Sequence, residues 1–152
     1  YCDFMKKTAD SEKDHYRQEA VKVINKNPRI DLVVLFLDEI QEYKLLGDFM
    51  LQKHERLSSA VNVSLLRKLS KTLAINAQAL AATVIRRELV EYVLVGAKSK
   101  YYNYAVSDLK LAMDYGYQVI DWQDFPNNSE YLAALQTKHG KKYSFWERIN
   151  VV

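Results

Sequence analysis

Four side chains of this sequence have the chemistry of transition-metal ligands, but their spacing does not favour a metal site. They are Cys2, His15, His54 and His139. No two histidines lie three or four residues apart, the spacing that places two ligands on one helix face. His54-Glu55 lacks the second histidine of a metalloprotease helix. We therefore expect surface histidines, with no bound metal and no other cofactor.

Phosphate binding and nucleophilic catalysis are also disfavoured. Residues 96–99 read Gly-Ala-Lys-Ser, as at the end of a phosphate-binding loop. The first glycine of that loop is missing, and a predicted helix rather than a strand comes before it. We expect a helix end at Gly96 and a new helix capped by Ser99. No serine or cysteine stands in a glycine-flanked turn with a base and an orienting group.

Two acidic residues, Glu88 and Glu91, share one face of a predicted helix. Arg87 lies four residues before Glu91 and is placed to neutralise it. We predict a structural ion pair between Arg87 and Glu91 at the edge of this helix rather than acid–base catalysis. A buried Arg–Glu network that joins two helical pairs would give the same sequence pattern. No catalytic residue is assigned, and the sequence favours a protein that is not an enzyme.

Basic and aromatic residues occur together in two segments, one at the start of a predicted helix and one after the last helix. These residues are Lys98, Lys100, Tyr101, Tyr104, Lys138, His139, Lys141, Lys142 and Trp146. If the C-terminal segment folds back over the central helices, the set forms one cationic surface with stacking rings. Such a surface could bind a phosphorylated ligand, single-stranded nucleic acid or a protein partner.

The other interpretation of these aromatic residues is structural. Phe145 and Trp146 then seal the end of the core, while the lysines are solvated. Burial of one large aromatic side chain contributes about 2–3 kcal/mol, which explains the pair without any ligand. We favour this interpretation, because aromatic residues in such patterns usually belong to the core.

The elements that position these residues are predicted to be helices. Glycine (four residues) and proline (two) are scarce, whereas an all-β fold needs many turn residues. The segment 77–95 is apolar on nearly every side, which is typical of a helix buried on several faces. Its charges are confined to a short stretch, 86–91, and we expect the other helices to pack around it.

The apolar spacing predicts about seven helices in antiparallel pairs. Their approximate ranges are 11–26, 29–43, 44–57, 61–73, 77–95, 100–113 and 128–138. Breaks are expected at Ser58-Ser59, and Gly47 is expected to weaken a first turn. Pairs that begin near Ser11, Lys44 and Ala77 are 33 residues apart, as in a TPR-like or HEAT-like α-solenoid. An irregular helical bundle fits equally well.

The length and composition indicate a single helical domain over 11–152, after a lead-in at 1–10. The start Tyr-Cys-Asp has no initiator methionine, which we take as the sign of the C-terminal part of a longer protein. One cysteine fits a reducing compartment, and we expect a cytoplasmic location. No apolar run reaches the length of a membrane span. The net charge of +3 is weak for a dedicated nucleic-acid binder.

Four segments in order carry a resemblance to a known family. They read Ala-Ala-Thr-Val-Ile-Arg-Arg-Glu-Leu-Val at 81–90, Ala-Lys-Ser-Lys-Tyr-Tyr-Asn-Tyr-Ala at 97–105, Tyr-Leu-Ala-Ala-Leu at 131–135 and Lys-His-Gly-Lys-Lys-Tyr-Ser-Phe-Trp at 138–146. Over about 77–147 the chain resembles an uncharacterised bacterial α-helical domain family, some members of which occur with SWIM-type zinc-finger proteins. The resemblance implies helical architecture and no particular reaction. The zinc-finger cysteines are not present in this sequence.

The function predicted from these patterns is a non-enzymatic interaction module that binds a protein or peptide. Stacked helical pairs present a concave groove, which suits a partner helix or an extended segment. The alternative is a nucleic-acid-associated accessory domain that uses the basic and aromatic residues near the C-terminus. The two differ in salt dependence, since binding to phosphate weakens steeply with salt.

Overall fold

The computed structural model describes residues 29–151 together with His15, 17–19 and 21–22. This part of the chain contains no strand, and the six described residues before Arg29 are helical. Residues 29–151 form eight α-helices, which we number α1 (Ile30–Glu39), α2 (Tyr43–Gln52), α3 (Leu57–Ala60), α4 (Val63–Ile75), α5 (Ala79–Gly96), α6 (Tyr102–Gly116), α7 (Asn128–His139) and α8 (Tyr143–Val151). Two short 3₁₀ helices cover His54–Arg56 and Ser99–Tyr101. The predicted all-α class is confirmed.

Helix α5 is the predicted central helix, and it is buried along most of its length. Its first half contributes Ala82, Ile85 and Leu89 to an apolar cluster formed with α1–α4. Its second half contributes Val90 and Leu94 to a separate cluster with α6–α8. The one helix therefore links two apolar clusters. Burial on several sides follows from its nearly unbroken apolar composition.

The helices around α5 approach it from several directions. It packs against α4 and α6 along its sides and also contacts α2 and α3. Gly47 lies inside α2, where an added Cβ would be 3.0 Å from Gln78 Oε1 and 3.4 Å from Ala81 Cβ. The glycine therefore allows α2 to lie close to α5. The sequence instead predicted that Gly47 would weaken the first turn of a helix. The predicted solenoid stack is not confirmed.

Several predicted boundaries differ from the structure. The helix predicted at 29–43 ends at Glu39, and Gln41 follows with a φ of 60°. The helix predicted at 44–57 is split into α2, a 3₁₀ turn and α3. Ser58 and Ser59 are helical, so the predicted break is wrong there. The break comes later, at Asn62, which caps α4 by accepting hydrogen bonds from the backbone N–H groups of its first turn.

The predicted lead-in at 1–10 and most of the predicted helix at 11–26 lie outside the described residues. At the other end of the chain, the segment after Gly140 forms α8. Phe145 is fully buried in the second apolar cluster. Its ring meets those of Tyr102 and Trp146 edge-on, with centroids 6.2 and 5.0 Å apart. This agrees with the structural interpretation of the C-terminal aromatic residues.

Candidate functional site

A cleft of about 880 Å³ opens along one side of α5, and we call it the tyrosine cleft. Its walls come from the segment 55–67, the second half of α5 and the start of α6. The lining residues are Glu55, Ser58, Val63, Arg67, Glu88, Glu91, Tyr92, Val93, Val95, Gly96, Lys98, Tyr101 and Tyr104. The volume lies in the range of clefts that bind small molecules or a few side chains.

One face of α5 forms the long wall of this cleft. Glu88, Glu91, Tyr92 and Val95 follow each other at intervals of three, one and three residues, which places them in one row along a helix. Tyr92 is 51% exposed and Val95 is 64% exposed. The row runs about 10 Å along the helix axis, from a carboxylate end to an apolar end.

The apolar end is completed by two tyrosines from the next elements. Tyr101 and Tyr104 are 43% and 55% exposed, and their ring centroids are 6.4 Å apart. The guanidinium of Arg67 lies 5.2 Å from the centroid of the Tyr104 ring. The cleft therefore groups four large, exposed apolar side chains in one site. Single exposed apolar residues are normal on a protein surface, whereas a contiguous group of them is uncommon.

The carboxylate end contains Glu88 and Glu55. Glu88 Oε1 is 2.7 Å from His54 Nδ1, and the His54 ring meets Phe125 edge-on. Burial raises the pKa of Glu88, with further upward contributions from the charges of Glu55 and Glu91, although the bond to His54 opposes this. Glu55 is exposed and makes no hydrogen bond or ion pair with any described residue. This end of the cleft thus holds excess negative charge.

Glu91 connects the cleft to α7. Lys138 Nζ donates to Glu91 Oε1, and His139 Nε2 lies 3.0 Å from Glu91 Oε2. Lys142 Nζ donates to His139 Nδ1 at 2.9 Å, so the proton of a neutral His139 is on Nε2 and is donated to Glu91. Burial alone would raise the pKa of Glu91, but the hydrogen bonds from Lys138 and His139 and the charge of Lys138 outweigh it and lower that pKa.

The structure does not bring the nine predicted surface residues into one patch. Lys98, Tyr101 and Tyr104 line the tyrosine cleft, with Lys100 beside Tyr101. His139 is buried, and Trp146 Nε1 donates to the backbone carbonyl of His139. Lys138 and Lys142 are the bonded partners of Glu91 and His139, whereas Lys141 is exposed. The C-terminal residues of the set therefore serve mainly to attach α7 and α8.

The predicted ion pair between Arg87 and Glu91 is not formed. Arg87 points away from the cleft and is 6% exposed. Its Nη1 donates to the carbonyl of Pro126 at 2.7 Å, and its guanidinium lies between the rings of Trp122 and Tyr131. Desolvation by burial lowers the pKa of Arg87 to about 10. The side chain holds the 117–126 connection against α5, and Glu91 is left to Lys138 and His139.

The neighbouring Arg86 belongs to a buried ionic network that the sequence interpretation did not place. Asp108 of α6 is 1% exposed and accepts bonds from Arg86 Nη1 at 2.7 Å and from Arg67 Nη2 at 2.9 Å. Arg86 Nη2 also donates to the carbonyl of Arg67 at 3.2 Å. The network joins α4, α5 and α6 behind the cleft. It resembles in kind the buried Arg–Glu alternative, with an aspartate from another helix as the acid.

The cleft residues that the sequence interpretation missed include Glu55, Tyr92 and Val95. The row at 88, 91, 92 and 95 could have been predicted from the sequence, because helical spacing places the tyrosine and the valine on the same face as the two glutamates. Asp108 was also readable as an acid among the apolar residues of α6, which requires a basic partner. The partners themselves are 22 and 41 residues away, and no local pattern identifies them.

No group of three or more His, Cys, Asp or Glu side chains in the described part of the chain is arranged to hold a metal ion. None of its helices combines the length and the apolar character needed to cross a bilayer.

Comparison with known proteins gives one match. The model of a family of unknown function, DUF6880, matches residues 2–148. The match confirms the resemblance to an uncharacterised domain family and extends it well beyond 77–147. It does not confirm an association with SWIM-type zinc-finger proteins. Searches of curated proteins and of solved structures found no match.

Proposed function

The chain belongs to the family of unknown function DUF6880, and we propose that it is a non-enzymatic interaction module that binds a segment of a partner protein in the tyrosine cleft. The observation that carries the proposal is the grouping of Tyr92, Val95, Tyr101 and Tyr104, all exposed, in one concave site. Contiguous exposed apolar surface is uncommon on monomers and marks interaction sites. Tyrosine in particular is enriched among the residues that dominate binding energy.

The charged groups of the cleft support a binding role more than a catalytic one. Arg67 is bonded to the buried Asp108, Glu88 to His54, and Glu91 to Lys138 and His139. Each of these side chains holds two helices or segments together, which fixes the walls of the cleft. A rigid cleft loses little conformational entropy when a partner binds, and this favours affinity.

Nucleic acid is the second candidate, and it depends on a smaller set of residues than expected. Lys98, Lys100, Tyr101 and Tyr104 remain exposed beside one another, as a strand of stacked bases would require. Three carboxylates line the same cleft, and they would repel a phosphate backbone. We therefore rank peptide binding above nucleic-acid binding.

The finer features of the proposal rest on the sequence. A cytoplasmic location is supported by the single cysteine. A bacterial source, an association with SWIM-type zinc-finger proteins and a TPR-like stack are carried forward as hypotheses from the resemblance and from the spacing of the helices.

The test is selection of binders from a phage-displayed library of random linear peptides, followed by affinity measurement with the resynthesised peptides. The variant Tyr101→Ser/Tyr104→Ser should weaken binding about tenfold or more, because tyrosines at the centre of an interface dominate its energy. Tyr143→Ser is the matched control, since Tyr143 is 71% exposed and lies outside the cleft. Failure to select any peptide that depends on Tyr101 and Tyr104 would contradict the proposal.

A further inference from the structure

The tyrosine cleft is not uniform, and its asymmetry indicates what it binds. The row on α5 runs from Glu88 and Glu91 to Tyr92 and Val95, and Tyr101 and Tyr104 complete the apolar end. Ten residues in sequence separate Glu88 from Lys98, the one lysine of the lining. A partner must therefore satisfy carboxylates at one end and apolar surface at the other.

The cations already present do not neutralise the carboxylate end. Arg67 directs Nε and Nη2 to Asp108, and its guanidinium lies against the Tyr104 ring at the apolar end. Lys138 and His139 bond Glu91 from the side of α7. Glu55 has no hydrogen-bond or ion-pair partner among the described residues, and Glu88 has one, His54 Nδ1 at 2.7 Å. Three carboxylates thus line this part of the cleft, and one of them, Glu55, lacks a counter-charge among the described residues.

We propose that the occupant of the tyrosine cleft is an extended peptide segment with a lysine or arginine side chain seated between Glu55 and Glu88. About three residues further along the segment, an apolar or aromatic residue lies against Tyr92, Tyr101 and Tyr104. This inference rests on the proposed function and names its partner by chemistry. The ammonium or guanidinium donates to the two carboxylates. Such charge-assisted hydrogen bonds are stronger than those between neutral groups. The spacing of about 10 Å along α5 corresponds to about three residues of extended chain.

A bound cation at this position also stabilises the ionised form of Glu88, which the free protein disfavours. Burial and the charges of Glu55 and Glu91 raise the pKa of Glu88, which means that its ionised form is disfavoured in the free protein. A bound positive charge stabilises that ionised form. Binding should therefore lower the pKa of Glu88 and weaken as the pH falls through it.

The experiment uses the full chain and a cleft-binding peptide selected from the same random library. The peptide is resynthesised with its lysine or arginine replaced by norleucine, and affinities are measured at low and high salt. The double variant Glu55→Gln/Glu88→Gln should bind the original peptide about tenfold more weakly, with a smaller salt dependence. The control is Glu147→Gln, an exposed glutamate of α8 outside the cleft. Thermal unfolding verifies that each variant is folded.

The outcomes separate the two proposals. Cation-containing peptides whose affinity falls with norleucine and with Glu55→Gln/Glu88→Gln support this inference. Peptides that depend on Tyr101 and Tyr104 but not on a cation or on the glutamates overturn it and leave the proposed function standing. Dimerisation of the chain through the cleft, or tighter binding of a single-stranded oligonucleotide that Tyr101→Ser/Tyr104→Ser abolishes, overturns both.

Discussion

Two adjacent arginines in the middle of α5 are buried, and their charges are handled in different ways. Arg86 shares the buried Asp108 with Arg67. Arg87 has no acidic partner among the described residues and lies between two aromatic rings, with one hydrogen bond to a carbonyl. A paired buried charge and an unpaired one respond differently to mutation. The two arginines therefore give two testable predictions about the free energy of unfolding.

The first prediction concerns Asp108, the acidic residue of the buried network. Asp108→Asn should lower the free energy of unfolding by about 3–5 kcal/mol, because it leaves two arginines at a largely buried site without a counter-charge. Urea unfolding at neutral pH measures the change. Asp114→Asn on the same helix is the control, since Asp114 is exposed, and it should change stability by less than about 0.5 kcal/mol. A loss below about 1 kcal/mol for Asp108→Asn would show that the network is not required.

The second prediction compares Arg86 with Arg87. Arg86→Met should cost about 2 kcal/mol more than Arg87→Met, because only the former removes a cation from a buried carboxylate, which is then left with Arg67 alone. The pKa of Arg87, lowered to about 10, means that folding disfavours its charged form at neutral pH, a penalty that methionine removes. Urea unfolding of both variants provides the measurement. Equal losses would contradict the distinction between the two arginines.

At the scale of elements, one glutamate fastens α7 to the central helix. Glu91 on α5 bonds both Lys138 and His139 at the end of α7, and Lys142 extends the chain of bonds to the segment before α8. The same residue lines the tyrosine cleft. The attachment of the C-terminal helices and the shape of the cleft are therefore linked through a single carboxylate.

This link predicts a dependence of stability on pH. The pKa of Glu91 is lowered in the folded chain, so its contribution is present above the unfolded value of about 4.3 and is lost as the pH falls through the folded pKa. Glu91→Gln should cost about 1 kcal/mol at pH 7, as for partly exposed pairs, and almost nothing in strong acid. Denaturant unfolding across this range tests it, with Glu147→Gln as control. A loss independent of pH would exclude the ionic role.

The helices were predictable to different extents, for physical reasons. α5 was predicted within two residues, because an apolar pattern on all sides leaves little ambiguity. The helix boundaries in the region 44–62 were not predicted correctly. The serines inside α3 and the 3₁₀ turn at His54–Arg56 depend on packing against α5. Gln41 likewise adopts a left-handed φ, which its residue type does not favour. Local propensity is too weak to decide such cases.

The candidate site was predictable only in part. The exposed residues Lys98, Tyr101 and Tyr104 were identified from their types. Their joining with the C-terminal lysines was the less favoured of two interpretations, and Phe145 lies in the core, as the favoured structural interpretation predicted. The carboxylate wall was seen as an ion pair with Arg87, because spacing along a helix cannot show which way a long side chain turns. Contacts between residues far apart in sequence decide that question.

At the scale of the whole molecule, α5 serves both structure and the proposed function. Its apolar faces connect two clusters, its buried arginines fix neighbouring segments, and its remaining face forms the wall of the tyrosine cleft. A site on a buried helix is held more rigidly than a site on loops. The proposed binding therefore depends on an element whose position is fixed by the entire fold.

The most direct test of binding in the tyrosine cleft is an NMR titration of the ¹⁵N-labelled chain with a peptide selected for binding. We predict that the largest shift changes map to residues of the cleft, at 55–67 and 88–104, and that Tyr101→Ser/Tyr104→Ser removes them. Shift changes concentrated at 141–146, or spread evenly over the surface, would contradict the account.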